Sequence, residues 1–141
     1  MKSATLKSQR AFAAAVVAAL GLSGAIGSAR ADAVTDWNAT AAALPIAVPP
    51  VHARVMAAMH GAVHDAINSI EPQHETYRFP VEAPAGASKD AAVATAAHGV
   101  LAALVPSQKA ALDTALAQSL AKISDERSKA DGIVVGKTVA E

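Results

Sequence analysis

The feature that most constrains the fold is a helical period of apolar residues that runs through nearly all of this 141-residue chain after residue 31. It is clearest in residues 50–70, where the large apolar side chains fall on one arc of a helical wheel. The arc contains Val55, Met56, Met59, Val63, Ile67 and Ile70, with Ala62 and Ala66 between them. No stretch alternates in the manner of a β-strand. The pattern predicts an all-α protein of four to five helices in an antiparallel, bundle-like arrangement.

Prolines and serines set the predicted helix bounds. A proline suits the first turn of a helix, and a serine followed by acidic residues suits its N-terminus. On these signals we predict helices over residues 33–44, 50–70, 88–106, 107–123 and 124–141, with Ser88, Ser107 and Ser124 at the starts of the last three. Residues 71–87 hold three prolines and no helical period. We predict an extended connection there, in which Tyr77 and Phe79 are packing anchors.

Residues 1–31 have the organisation of a signal peptide. Three basic residues begin the segment, an apolar run follows at residues 11–27, and Ala29-Arg30-Ala31 offers small residues at the two positions that a signal peptidase recognises. We predict cleavage after this triplet and export to the periplasm or the medium. We also predict no membrane association of the cleaved chain, because no second hydrophobic segment follows.

Removal of residues 1–31 would leave one helical domain, residues 32–141, with 8 basic and 12 acidic residues and a net charge of −4. Nucleic acid is therefore not a predicted partner, because phosphate contacts need a surplus of Lys and Arg. The chain has no cysteine. That excludes disulfides, thiolate metal sites, iron–sulfur clusters and covalent c-type haem attachment.

Two features predict that residues 32–141 are an incomplete part of a larger helical domain. The apolar content is mostly alanine, which forms helices well but buries little area per residue. The last predicted helix reaches Glu141 without a glycine or proline stop signal, and with a carboxylate where the helix dipole favours a cation.

His60 and His64 are the strongest metal-ligand candidates, because residues four apart share one face of a helix and could hold zinc. The spacing dictates no third ligand, and residues 61–63 are Gly-Ala-Val, without the glutamate of the zinc-protease motif. On the helical wheel both histidines flank the apolar arc and continue into Asn68. We therefore predict hydrogen-bonded residues beside the packed face and no metal site.

The remaining histidines carry weaker signals. We predict that His52 is buried and hydrogen-bonded near the start of its helix, and that His74 and His98 lie at the surface or at a helix edge. Arg54 and His60 have the Arg-x5-His spacing of a superfamily of oxyanion-binding enzymes. Six residues of continuous helix turn through about 600°, a net 240°, so the two side chains are expected on different faces.

Met56 and Met59, combined with a histidine, would permit axial ligation of a haem, but paired methionines at this spacing are typical of a helical core. The chain also lacks the Gly-x-Ser-x-Gly, phosphate-loop and calcium-loop motifs. We predict no catalytic, cofactor-binding or metal-ligating residue in this chain.

Four segments occur in a recognisable order: Trp37-Asn38, residues 53–70 (ARVMAAMHGAVHDAINSI), residues 88–116, and residues 132–141 (GIVVGKTVAE). Together they resemble the N-terminal helical region of exported bacterial vanadium-dependent haloperoxidase-like proteins, which belong to the type-2 phosphatidic-acid phosphatase superfamily. The resemblance covers essentially all of residues 32–141, and the HDAIN segment and the AAHGVL and PSQ segments carry it most.

In that family the oxyanion pocket is formed by Lys-x6-Arg-Pro, Ser-Gly-His and Ser-Arg-x5-His-x3-Asp segments downstream of such a region. None of them occurs here. The near match at Arg54 departs from the third pattern, because Ala53 stands in place of the serine and His64 in place of the aspartate, with Asp65 one position late. No catalytic role transfers to these residues.

The resemblance implies a scaffold, the first helices of an all-α peroxidase or acid phosphatase whose later helices bind vanadate as cofactor or phosphate as substrate. It implies that this chain alone is inactive and that its partners are the missing C-terminal helices of the same fold. Two alternatives stay open. One is a self-contained exported helical module that binds a partner or a small ligand through the aromatic residues of its connection, and the other is a haem or metal carrier.

Overall fold

The computed structural model describes residues 32–78 and 81–141, and within them the chain is helical and has no strand. This confirms the predicted all-α class. The five helices are α1 (Ala33–Ala42), α2 (Pro49–Ile70), α3 (Lys89–Leu104), α4 (Lys109–Ala121) and α5 (Glu126–Ala140), and a 3₁₀ turn at Pro106–Gln108 joins α3 to α4. The predicted signal peptide and the predicted anchor Phe79 lie outside the described residues.

Helix α3 is the centre of the bundle and contacts each of the other four helices. Residues 91–97 are all buried, so this helix has no solvent face over these seven residues. An amphipathic helix at the surface of a bundle would bury only one apolar stripe. Alanine accounts for the difference, because its small side chain lets neighbouring helices approach from every side.

The core beside α3 is built from one or two large side chains per helix among many alanines. The largest fully buried side chains are Trp37, Met59, Val93, Leu101, Leu112 and Val135. Met59 is 1% exposed and belongs to this core, as the methionine spacing in α2 predicted. Each large side chain fills a gap that alanines alone would leave.

Helices α3 and α5 meet along a seam of small residues, which we call the seam: Ala91, Ala92, Thr95 and Ala96 on α3 face Gly132 and Gly136 on α5. A Cβ atom placed on Gly136 would lie 2.5 Å from the carbonyl oxygen of Ala92 and 2.7 Å from the Cβ of Thr95. Only glycine therefore permits this approach of the two backbones. The spacing of the two glycines is used for helix packing.

Two of the three predicted serine caps are wrong. Ser88 does cap α3, since its hydroxyl accepts a hydrogen bond from the Ala91 N–H at 3.2 Å. Ser107 instead lies inside the 3₁₀ turn that begins at Pro106. At α5 the cap is Asp125, one residue after Ser124, because its carboxylate accepts hydrogen bonds from two backbone N–H groups of the first turn.

The predicted apolar stripes are buried only in part. Leu104 of α3 and Val134 of α5 are large apolar residues, and they are 51% and 58% exposed. Among the described residues, no single helix is both long and apolar enough to cross a bilayer. Helices α3 and α4 meet that composition and length only as a pair bent by 119°.

Candidate binding groove

An open groove of about 850 Å³ lies between α2, the connection that follows it, α3 and α5. We call it the groove, and its lining residues are Ala57, Ala58, His60, Gly61, Ala62, His64, Asp65, Tyr77, Arg78, Val100, Val139 and Ala140. The helices contribute mostly small or aliphatic side chains. The polar side chains come from one face of α2 and from the two connection residues.

Gly61 shows how open the groove is. A Cβ atom placed on this glycine would meet no atom within 4 Å outside its own helix. Ala57 and Ala58, one turn earlier on α2, are exposed. This part of α2 therefore presents a small-residue face that no other described element covers.

Asp65 forms the rear of the groove and fixes the connection. It is 3% exposed, and its carboxylate accepts hydrogen bonds from the backbone N–H of Tyr77 at 2.7 Å and of Arg78 at 3.1 Å. A buried carboxylate is costly unless such donors surround it. Asp65 lies on the buried face of α2, so it draws the connection back against the helix.

Asn68, one turn further along α2, holds the earlier part of the same connection. Its side-chain oxygen accepts hydrogen bonds from the backbone N–H of Gln73 at 3.2 Å and of His74 at 2.9 Å, while its amide nitrogen donates to the His64 carbonyl oxygen at 2.9 Å. Asp65 and Asn68 together are called the clamp. The clamp satisfies four backbone N–H groups that no regular element would pair.

The His64 ring lies between the clamp and the aromatic residues of the connection. Its Nδ1 donates to Asp65 Oδ1 at 3.2 Å, its ring centroid lies 4.9 Å from that of Tyr77 in an edge arrangement, and it stacks on His74 at 6.3 Å. The prediction that Tyr77 is a packing anchor is wrong, since this side chain is 78% exposed. The clamp holds its backbone and leaves its ring at the mouth of the groove.

The other predicted histidines have partners in the helical frame. His52 Nε2 donates to the Ala41 carbonyl oxygen at 3.0 Å, and His60 Nε2 donates to Asn38 Oδ1 at 3.0 Å. His60 thus links α2 to α1, as expected of a polar residue beside the packed face. His52 is hydrogen-bonded, as predicted, but it is only partly buried, so the prediction that it is buried is wrong.

His98 belongs to an exposed ionic contact between α3 and α4. Its Nε2 donates to Asp113 Oδ1 at 2.7 Å, and Lys109 Nζ donates to the same carboxylate at 2.7 and 2.9 Å. The Lys109 hydrogen bonds, followed by that of His98, lower the pKa of Asp113 below its ordinary value.

The structure does not bring the predicted metal and oxyanion candidates into one centre. Within residues 32–78 and 81–141, no group of three or more His, Asp or Glu side chains is arranged to hold a metal ion. Arg54 is exposed and is absent from the lining of the groove, whereas His60 lines it. The Arg-x5-His spacing therefore does not form a shared site.

The sequence analysis missed the clamp. The sequence does not reveal the role of Asp65, because its partners are backbone N–H groups 12 and 13 residues away in a segment without a helical period. One signal could have identified it. A carboxylate that precedes Ala66 and Ile67 on the apolar side of a helix is unusual enough to require local donors.

Comparison with known proteins adds no relative. No family model, no curated protein and no solved structure matches this chain.

Proposed function

We propose that this chain is an exported, non-catalytic scaffold related to the N-terminal helical region of vanadium-dependent haloperoxidase-like proteins. The observation that carries the proposal is the role of residues 64–68, HDAIN, the segment on which the resemblance depends most. Asp65 and Asn68 of this segment hold the connection through four backbone N–H groups. A motif used in this way supports an architectural role.

The chemistry of the polar residues supports the same proposal. A general base or an anion site needs a group that is available to substrate. The Asp65 carboxylate already accepts two backbone N–H groups and the His64 ring, and His60 donates to Asn38. In the proposed larger protein, vanadate or phosphate would be held by later helices, which would be the partners of this scaffold.

The proposal is tested by reading the gene beyond the codon for Glu141. An open frame that encodes Lys-x6-Arg-Pro, Ser-Gly-His and Ser-Arg-x5-His-x3-Asp segments is the expected result. A stop codon followed by unrelated sequence would count against the scaffold.

A biochemical test is independent of the gene. The purified protein, supplied with vanadate, bromide and peroxide, or with a phosphoester, is expected to show no turnover above the buffer. Turnover that is lost on replacement of a histidine would contradict a non-catalytic role.

A second candidate is a self-contained exported module that binds a ligand, and the groove favours it. Helix α3 is enclosed by the other four helices, and the groove holds an exposed aromatic residue, Tyr77, beside an apolar floor. The test is thermal unfolding of the purified protein followed by circular dichroism. A single cooperative transition supports an independent module, and a broad change without cooperativity contradicts it.

A further inference from the structure

His64 offers a neutral ring nitrogen to the groove. Its Nδ1 lies 3.2 Å from Asp65 Oδ1, and an ionised carboxylate can only accept, so the hydrogen of the neutral ring is on Nδ1. The lone pair is then on Nε2, which has no hydrogen-bond partner in the part of the chain that the structure describes. The His64 side chain is 30% exposed and lines the groove. It is therefore an electron-pair donor that needs no change of protonation.

The Asp65 carboxylate fixes the tautomer and the orientation of this ring. It is 3% exposed and accepts hydrogen bonds from the backbone N–H groups of Tyr77 and Arg78, so its position is set by the connection as well as by α2. Metal-bound histidines have the same arrangement, because a carboxylate on the second ring nitrogen orients the ring and raises its basicity. His64 and Asp65 therefore have the chemistry of a metal ligand and its support.

A bare metal ion does not match this donor set. Such an ion takes three or more protein ligands, and across residues 32–78 and 81–141 no group of three His, Asp or Glu side chains is arranged to hold one. The iron of a porphyrin takes four nitrogen ligands from the ring itself and is held by a single histidine in many proteins. One supported imidazole therefore selects an iron porphyrin among metal-containing ligands.

The groove supplies the apolar contact that the porphyrin ring requires. It encloses about 850 Å³, within the range of roughly 300–1,000 Å³ that small-molecule sites show. Small or aliphatic side chains of three helices line it, and the exposed ring of Tyr77 adds an aromatic surface at its mouth. Because the groove is open, the carboxylates of a porphyrin can stay in water and need no cationic partner.

The supported imidazole and the apolar groove occur at the same place, beside α2. We propose that the groove binds an iron porphyrin of the haem type, with His64 Nε2 as the axial ligand of the iron and Asp65 as its positioning residue. His60 is the poorer ligand, because its Nε2 donates to Asn38 Oδ1 at 3.0 Å. This inference rests on the second candidate function, the binding module, and names its class of ligand.

Absorption titration of the purified protein with two probes, ferric haem and metal-free protoporphyrin, tests the proposal. We expect saturable binding of haem with a shifted Soret band. Metal-free protoporphyrin has the same flat apolar body but no iron for His64 to bind, so we expect its affinity to be about tenfold lower. Equal affinity for the two probes would overturn the proposal, since it would show apolar adsorption alone. The absence of saturable haem binding would overturn it as well.

Histidine variants identify the ligand. His64→Ala is expected to lose the Soret shift and to lower haem affinity about tenfold, while its affinity for metal-free protoporphyrin stays unchanged. Added imidazole, which enters the space left by the side chain, is expected to restore the shift, and a loss of folding would show neither result. His60→Ala and His74→Ala are the matched controls and should retain the shift. A shift that persists in His64→Ala, or that is lost in a control instead, would overturn the assignment.

The role of Asp65 is tested by the reduction potential of the bound haem. Asp65→Asn is expected to raise this potential, because a neutral amide leaves the His64 ring less basic and the ferric iron less stabilised. A change in stability alone would not alter the potential of the haem that is still bound. An unchanged potential would contradict the positioning role of Asp65.

Two tryptophan variants locate the binding. Ala58→Trp, which fills the groove, is expected to lower haem affinity about tenfold, while Ala117→Trp at an exposed alanine of α4 leaves it unchanged. Equal affinities of wild type and Ala58→Trp would overturn the proposed location.

The remaining outcomes separate this proposal from the other roles of the chain. Sedimentation of wild type and Ala58→Trp shows whether filling the groove converts a dimer to a monomer, and such a conversion without haem binding would assign the groove to chain association and overturn the proposal. Cooperative thermal unfolding without haem binding would overturn the ligand and leave the binding module. The gene sequence beyond Glu141 tests the scaffold separately, so failures of the three proposals are distinguishable.

Discussion

Two surfaces of this protein are built from the same small residue types, but one is covered by a neighbouring helix and the other is open. In the seam, Gly132 and Gly136 of α5 lie so close to α3 that a methyl group has no room. In the groove, Gly61 of α2 faces open space, and the neighbouring Ala57 and Ala58 are exposed. One surface joins two helices of the fold, and no other described element covers the other.

The difference teaches what small residues do in an alanine-rich bundle. They permit close approach, but they do not enforce it, because they offer little area to bury. The seam is closed where large side chains of α5 enter the same interface, among them Val135, which is 1% exposed. In the groove, no described side chain comes within 4 Å of a Cβ atom placed on Gly61, and the polar clamp lies at the rear.

Replacement of Asp65 is expected to have the largest effect and to separate the groove from the seam. Asp65→Ala leaves the N–H groups of Tyr77 and Arg78 without their acceptor, and we expect a loss of about 3 kcal/mol in the free energy of unfolding. Urea unfolding measures it.

The conservative variant supplies the control for that result. Asp65→Asn keeps one acceptor oxygen in the same place and is expected to lose about half as much. Equal losses for the two variants would indicate that the charge, and not the hydrogen bonds to the connection, stabilises the groove wall.

Gly136→Ala tests the closed surface and is expected to have the next largest effect. The added methyl group would lie 2.5 Å from the Ala92 carbonyl oxygen, so α5 must move away from α3. We expect a loss of about 2 kcal/mol, because overpacking exceeds the gain in helix propensity. An increase in the midpoint of urea unfolding would show that the seam is looser than this geometry.

The same substitution at Gly61 is expected to change stability in the opposite direction. No atom outside the helix lies within 4 Å of the added methyl group, and alanine is the better helix former. Gly61→Ala should therefore raise the free energy of unfolding by about 0.5 to 1 kcal/mol. A loss comparable to that of Gly136→Ala would mean that another element covers the groove in solution, and would remove the contrast between the two surfaces.

The fold class and one helix could be predicted from sequence because their signals are local. Pro49 and Pro50 begin α2 and the apolar arc continues to Ile70, where the structure also ends the helix. The cap at Ser88 is equally local. These signals are local, because the preference for proline or serine at a helix start depends on the backbone conformation of a few adjacent residues.

The groove and the clamp could not be predicted because their partners are distant and carry no side-chain signal. Asp65 binds backbone N–H groups, which every non-proline residue has. The glycines show the same limit, because Gly61 and Gly136 both lie inside predicted helices and next to apolar residues in the sequence. Only the position of the neighbouring helix decides which of them is enclosed.

The exposed contact between α3 and α4 joins two helices by charged side chains, and its removal is expected to change stability least. This change is the reference for the effects of substitutions in the seam and in the groove. Helices α3 and α4 share the exposed contact of His98 and Lys109 with Asp113, which lowers the pKa of Asp113. A carboxylate with a lowered pKa contributes stability that is present above the unfolded-state pKa, about 3.9, and is lost as the pH falls through the folded-state value. Because the carboxylate is exposed, solvent screening keeps this contribution small.

The midpoint of urea unfolding of Asp113→Asn should therefore fall slightly below that of wild type at pH 7 and approach it near pH 3. The control is Glu75→Gln, at an exposed carboxylate of the connection, whose midpoint should follow that of wild type at both pH values. A wild-type advantage that persists undiminished at pH 3 would show that α4 is held to α3 by packing alone, as α5 is held in the seam.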